Sequence, residues 1–215
     1  RGVGIGKTSF ERRINSGLAV GFSFLKTAFE NSNFIFNQID IANTYTNDIV
    51  LQHERSIYTD VIKAIDIESN ELIDFTTTMH SSKDSYAISK RDRPLAYIIK
   101  KNNYGFIDKL DDVGVNYVEF ERDTMIYSGG YKVVEFNNNF KVYEKMKMQK
   151  VVTSIEYGNN KFSKGDILIS MNQKRSNLIA ELLEPEAPNS YVSFGIIKTS
   201  LNKQLPIYRI KNFNN

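Results

Sequence analysis

Two histidines, His53 and His80, and no cysteine are what this chain of 215 residues offers for soft or borderline metal ligation. Zinc centres of hydrolases are built from His and carboxylate ligands and leave one coordination position for water. His53-Glu54-Arg55-Ser56 lacks the His-x-x-Glu spacing, and no supporting motif lies between the two histidines. Both read as surface or loop residues. Without cysteine, disulfides, thiolate nucleophiles and Cys-based zinc sites are excluded, while the compartment is left open. Ser81 or Ser82 beside His80 suggests a Ser/His/carboxylate triad on paper. No Gly-x-Ser-x-Gly elbow presents either serine. Asp111-Asp112, and Glu181 with Glu184 and Glu186, are the residue types that acid–base pairs use. Their spacing reads instead as a solvated helix face or helix-end charges.

The opening Arg1-Gly-Val-Gly-Ile-Gly-Lys-Thr8 raises a second chemistry, phosphate binding, in which backbone N–H groups, a Lys and a hydroxyl surround the anion. A P-loop needs Gly-x-x-x-x-Gly-Lys-Thr, and the position of the first Gly is Arg1. A nucleotide site at Gly2–Thr8 therefore stands as the weakest reading.

Whatever the chemistry, several elements must position it. Thr8-Ser9-Phe10-Glu11 fits a capping box. Phe10, Ile14, Leu18, Phe22, Leu25 and Phe29 follow at helical spacing, which predicts one helix from about Ser9 to about Asn37. Gly17 and Gly21, one turn apart on it, suggest the close approach of another backbone. A polar stretch from Asn43 to Asp48 marks a boundary near Thr44, beyond which Ile57–Ile67 and Leu72–Met79 read as strands. Leu95–Ile99, Tyr104–Val113 and Val115–Phe120 read as strand, short helix and strand, with Gly114 as the helix stop. After Gly129-Gly130 come strand candidates at Tyr131–Phe136, Lys141–Tyr157 and Asp166–Met171, separated by Asn- and Gly-rich turns. A last helix at about Lys174–Leu183 ends before Pro185. The abundant Tyr and Phe are explained by core and sheet-face packing.

The expected fold class is therefore α/β, or mixed α+β: a long N-terminal helix followed by a mixed-sheet domain with short helices. The formal net charge is +3 with both signs interspersed, so no field concentrates nucleic acid. No apolar run reaches the roughly 20 residues that span a bilayer.

Two stretches carry a resemblance. Arg1-Gly-Val-Gly-Ile-Gly-Lys-Thr-Ser-Phe-Glu-Arg-Arg13, leading into a helix, resembles the end of the catalytic domain in bacterial carboxypeptidase A-like zinc peptidases. The stretch from Gln173 through Leu178-Ile-Ala-Glu-Leu-Leu-Glu-Pro-Glu-Ala-Pro-Asn-Ser-Tyr-Val-Ser-Phe-Gly195, with Leu205-Pro-Ile-Tyr-Arg-Ile210, looks like the closing segment of the same proteins; Pro94–Tyr97 is a weaker match. The resemblance implies residues 1–43 as the terminal loop and helix of a truncated peptidase domain, and residues 44–215 as an accessory domain. It implies a parent that holds zinc with a His-x-x-Glu pair and a later His, all upstream, and a general-base Glu just before Arg1. Arg1, Gly2, Gly4 and Gly6 would lie near that active site without performing its chemistry. No cofactor, metal or catalytic residue is then expected in this chain.

The implied partners are the missing catalytic domain and, for the parent, a peptide or cell-wall peptide; the implied setting is extracellular or at a cell surface. The orphaned stripe Phe10, Ile14, Leu18, Phe22, Leu25 and Phe29 is expected to be an interface, giving a homo-oligomer of the chain alone. A non-catalytic binding module of a degenerate peptidase homologue is the rival reading.

Overall fold

In a computed structural model of the chain, residues 6–43, 47–101 and 105–211 are described. They belong to two compact units, Arg1–Thr46 and Asn47–Asn215.

The first unit is helical. α1 spans Lys7–Glu30 and α2 spans Ser32–Asn43. Gly6, at φ 112°, stands before the first turn without a side-chain cap bond, so the helix starts just ahead of the expected capping box. The single helix expected to Asn37 is interrupted at Asn31. Its φ of −110° and ψ of 18° leave the helical region, and its Nδ2 donates to the Thr27 carbonyl at 2.8 Å. Asn competes with the helix ladder by such local bonds, and α2 resumes one residue later. Ser9 is the one residue of α1 that is buried. A Cβ built on Gly17 or Gly21 meets nothing within 4 Å, so no backbone approaches them among the described residues.

The second unit is β-dominated, which corrects the expected mixed class. Strands β1 (Ile49–Ile65) and β2 (Leu72–Arg91) form a two-stranded ribbon. β3 (Ala96–Ile99), β4 (Val118–Glu119), β5 (Thr124–Tyr143), β6 (Met146–Phe162), β7 (Ile167–Ser170) and β8 (Gln204–Ile210) form a six-stranded sheet in the order β4-β7-β3-β8-β5-β6. Each pairing described is antiparallel. Among the described residues the short helices α3 (Asp108–Asp112) and α4 (Ser176–Leu183) interrupt the strands.

The difference comes from contacts between strands at two places. Gly129-Gly130 is no turn but the middle of β5, flanked by β6 and β8. A Cβ on Gly129 would stand 2.6 Å from Ile155 Cγ2, so the residue is Gly because a neighbouring side chain fills that space. The real turn is Glu144-Lys145, with both φ positive at 46° and 70°, inside what the sequence presents as one strand. Two-residue hairpin loops of this kind usually carry Asn-Gly, and neither residue here signals one.

Strand alternation then sorts the core. Tyr97, Ile99, Tyr131, Val133, Ile167, Ile169, Leu205 and Ile207 join α3, α4 and the start of β1 in the larger cluster. Ala96, Ile98, Phe162, Tyr208 and Ile210 belong to a smaller one. The period-2 pleat places the two sets on opposite faces of the sheet.

Candidate functional site

The most heavily built polar assembly lies inside the larger core and centres on Glu184. Its position follows from Pro185. A residue before proline is pushed out of the α region, and Glu184 has φ −72° and ψ 116°, ending α4 in extended backbone. Its backbone N–H still donates to the Ala180 carbonyl at 2.9 Å. Its side chain is fully buried, where the sequence suggests a solvated face.

Three segments, the end of β2, β3 and β5, donate to this carboxylate, and β6 and β8 add neighbours around it. Tyr97 on β3 and Tyr131 on β5 donate their hydroxyls to Oε1 at 2.5 and 2.8 Å. Arg91, at the end of β2, donates Nη1 to Oε2 at 2.6 Å, and its Nη2 reaches Glu186 Oε1 at 3.2 Å. Glu186 Oε1 also accepts from the Thr153 N–H and hydroxyl at 2.7 and 2.8 Å. Arg209 on β8 is the register partner of Tyr97, so both project from one face of the sheet. It is wholly buried and binds the Asp92 carbonyl through Nη2. Its Nε and Nη1 have no hydrogen-bond partner among the described residues. Asp92 Oδ2 lies 3.5 Å from Arg209 Nη2 and 3.1 Å from Lys211 Nζ.

Electrostatically the assembly is near balance. Burial pushes both tyrosine hydroxyls well above their ordinary value, and the adjacent Glu184 charge adds to the shift. Burial alone would weaken the charged form of Arg91, but Glu184 and Tyr131 hold it protonated. Arg209 is likewise opposed by burial and held charged by Tyr131, Glu184 and Tyr97. Buried charge persists only when it is paired and hydrogen-bonded. Here both carboxylate oxygens of Glu184 are already occupied by protein donors and closed to solvent. The arrangement ties ribbon, sheet and α4 together.

The residues singled out from the sequence do not converge. His53 pairs with Ala87 and His80 with Ile57, so about four residues of strand, roughly 13 Å, separate their positions along the ribbon. Ser81 donates to Asp84 Oδ2 at 2.7 Å, and as the next residue along β2 it faces away from His80. Asp111 and Asp112 are exposed, Asp111 accepting from the Tyr117 hydroxyl at 3.3 Å. Glu181 Oε1 accepts from Asn189 N and Nδ2 at 3.1 and 2.9 Å, apart from the Glu184 cluster. Arg1, Gly2 and Gly4 lie outside the described residues; Gly6 precedes α1. Lys7 pairs only loosely with Glu11, at 3.9 Å on the surface.

Among the described residues the donor set does not fit a zinc centre of the peptidase type. Among the described residues no three His, Cys, Asp or Glu side chains gather as metal ligands. A surface cleft bordered by Lys101, Glu119, Phe120, Glu121, Lys164 and Gly165 holds a Lys101–Glu119 pair at 3.6 Å and no histidine.

Arg91, Tyr97, Tyr131 and Arg209 are missed by a search for catalytic spacing. The available signal is a charged residue inside the otherwise apolar Leu205-Pro-Ile-Tyr-Arg-Ile210 run, and Glu just before Pro185.

Curated proteins do match. The chain is 30% identical over 220 residues to a protein named carboxypeptidase 2 from Trichophyton equinum, covering 98% of this chain and 40% of the relative. It is 30% identical over 222 residues to the carboxypeptidase 2 of Trichophyton rubrum, with the same coverage. To a probable carboxypeptidase 2 of Arthroderma benhamiae it is 28% identical over 193 residues, 86% of this chain and 36% of the relative. No protein-family profile matches the chain, and no solved structure does. These relatives are fungal, so they support the carboxypeptidase-like resemblance but not the bacterial affiliation expected from the end motifs. The chain spans about 40% of the length of the carboxypeptidase 2 relatives, and what it resembles is a carboxypeptidase-like region.

Proposed function

We propose that this chain is the C-terminal, non-catalytic region of a carboxypeptidase-like protein. The observation that carries the reading is a mismatch of extent and chemistry. The similarity runs over 98% of the chain but only 40% of relatives named for peptide hydrolysis. Within the described residues, the two histidines are apart and the most buried carboxylate is saturated by protein donors. The parent hydrolyses peptide bonds with a zinc centre held upstream of this region, in an extracellular setting, and this region serves its folding and assembly.

The helical unit supports an assembly role. Phe10, Ile14, Leu18, Phe22, Leu25 and Phe29 are all exposed, Phe29 by 83%. A stripe of that size is normally covered in a finished protein. In the reading proposed here the missing catalytic domain covers it, and in the isolated chain a second copy takes its place. No described helix is long and apolar enough to cross a membrane.

The experiment is a zinc titration of the purified chain by calorimetry, followed by a peptide titration. Absence of a stoichiometric zinc site supports the reading. A saturable one-to-one zinc site abolished by His53→Ala or His80→Ala overturns it.

A further inference from the structure

The two long β-ribbons of the second unit end in surfaces of opposite charge. The β1–β2 ribbon turns at 66–71, where the Asp66 carboxylate accepts from the Ser69 hydroxyl at 2.7 Å and from its N–H at 3.1 Å. That ordered end carries Asp60, Asp66, Glu68, Glu71 and Asp74 against the single cation Lys63, which is paired with Asp74. Ile65, Ile67 and Leu72 stand exposed among these acids, Ile67 by 95%.

The β5–β6 ribbon turns at Glu144-Lys145, and its end carries Lys141, Lys145, Lys147 and Lys150 against the single acid Glu144. Phe140, Val142 and Met146 are exposed there. Lys141 and Lys150 lie over the Phe140 ring at 5.8 and 5.2 Å. Among the described residues no ion pair engages Glu68, Glu71, Lys145 or Lys147.

We propose that the acidic, apolar end of the β1–β2 ribbon in one copy docks on the basic, apolar end of the β5–β6 ribbon in another. Like-charge ends repel and unlike ends attract, so charge selects the pairing. The exposed Ile, Leu, Val and Met side chains supply the surface removed from water. Ribbon edges with unpaired backbone groups also favour strand-to-strand contact. A second copy fits better than an anionic bilayer, because a bilayer would engage the basic end and repel the acidic one. It would leave the acidic surface without a role.

The test uses the full chain in sedimentation velocity across protein concentration, at about 20 mM and about 0.5 M salt, where the Debye length falls from about 20 Å to below 5 Å. Association at low salt that weakens at least about tenfold at high salt is expected. Glu68→Lys/Glu71→Lys and Lys145→Glu/Lys147→Glu should each abolish it while leaving the circular dichroism spectrum unchanged. Mixing the two variants should restore it, because each end of one then meets its complement on the other. A monomer at both salts overturns the proposal. So does low-salt association that both reversals leave unchanged and that shows no salt-sensitive part, which assigns all of it to the apolar face of α1. Binding of the chain to phosphatidylserine vesicles without self-association overturns it in favour of a membrane surface.

Discussion

Replacing Glu184 by Gln tests whether the buried assembly holds the second unit together. The substitution keeps the shape and removes the charge facing Arg91, Tyr97 and Tyr131. Arg91 is left with Glu186 alone, and the buried Arg209 loses the nearby anion that favours its charged state. Removing one partner of a buried pair costs about 3–5 kcal/mol; the residual Arg91–Glu186 contact at 3.2 Å points to the lower end. For a chain of this length each kcal/mol lowers Tm by about 2–4 °C, so a fall of about 6–12 °C is expected. Urea unfolding followed by far-ultraviolet circular dichroism gives the free energy, and the tyrosines provide an emission signal because the chain has no tryptophan. Arg91→Met should cost at least about 1 kcal/mol less in the Glu184→Gln background than in the natural chain, since both act on one interaction. Glu181→Gln, outside the cluster, should stay within about 0.5 kcal/mol. A Glu184→Gln cost below about 0.5 kcal/mol would refute the structural role assigned to the assembly.

Other outcomes follow from the same structure. Tyr97 and Tyr131 titrate above their unfolded value, so their contribution to stability is present below about pH 10 and declines as pH rises through that value towards the folded one. Stability measured by urea between pH 9 and 11 should therefore fall less steeply in Tyr97→Phe/Tyr131→Phe than in the natural chain. Gly129→Ala should cost about 1–3 kcal/mol because its Cβ meets Ile155 at 2.6 Å, whereas Gly158→Ala, with nothing within 4 Å, should change thermal unfolding little. Glu144→Asn/Lys145→Gly relieves two positive φ angles and should slow amide exchange in Tyr143 and Met146. Phe22→Lys/Phe29→Lys should lower the light-scattering mass at high salt, where apolar contact through α1 dominates.

Much of the local structure was legible in the sequence, because the signals were local. The spacing of Phe10 to Phe29 identified the first helix, Gly114 the positive-φ stop after α3 at 69°, and Pro185 the end of α4. What escaped depends on tertiary contacts. Gly129-Gly130 looks like a turn until β6 and β8 are packed against it, and Glu144-Lys145 turns without a turn residue because Lys141–Tyr143 and Met146–Met148 pair on either side of it. Glu184 is the same lesson in electrostatics. Its neighbours Glu181 and Glu186 suggest a wet helix face, and only the assembly of β2, β3, β5 and β8 shows that it is the one taken inside. The end motifs pointed to a carboxypeptidase-like protein without any catalytic spacing.

The most direct check is hydrolysis itself. The purified chain, supplied with zinc and then with excess chelator, should release no C-terminal residue from a panel of peptides above a zinc-only blank. Zinc-dependent, chelator-sensitive turnover that scales with protein concentration would contradict the claim that this region is not catalytic.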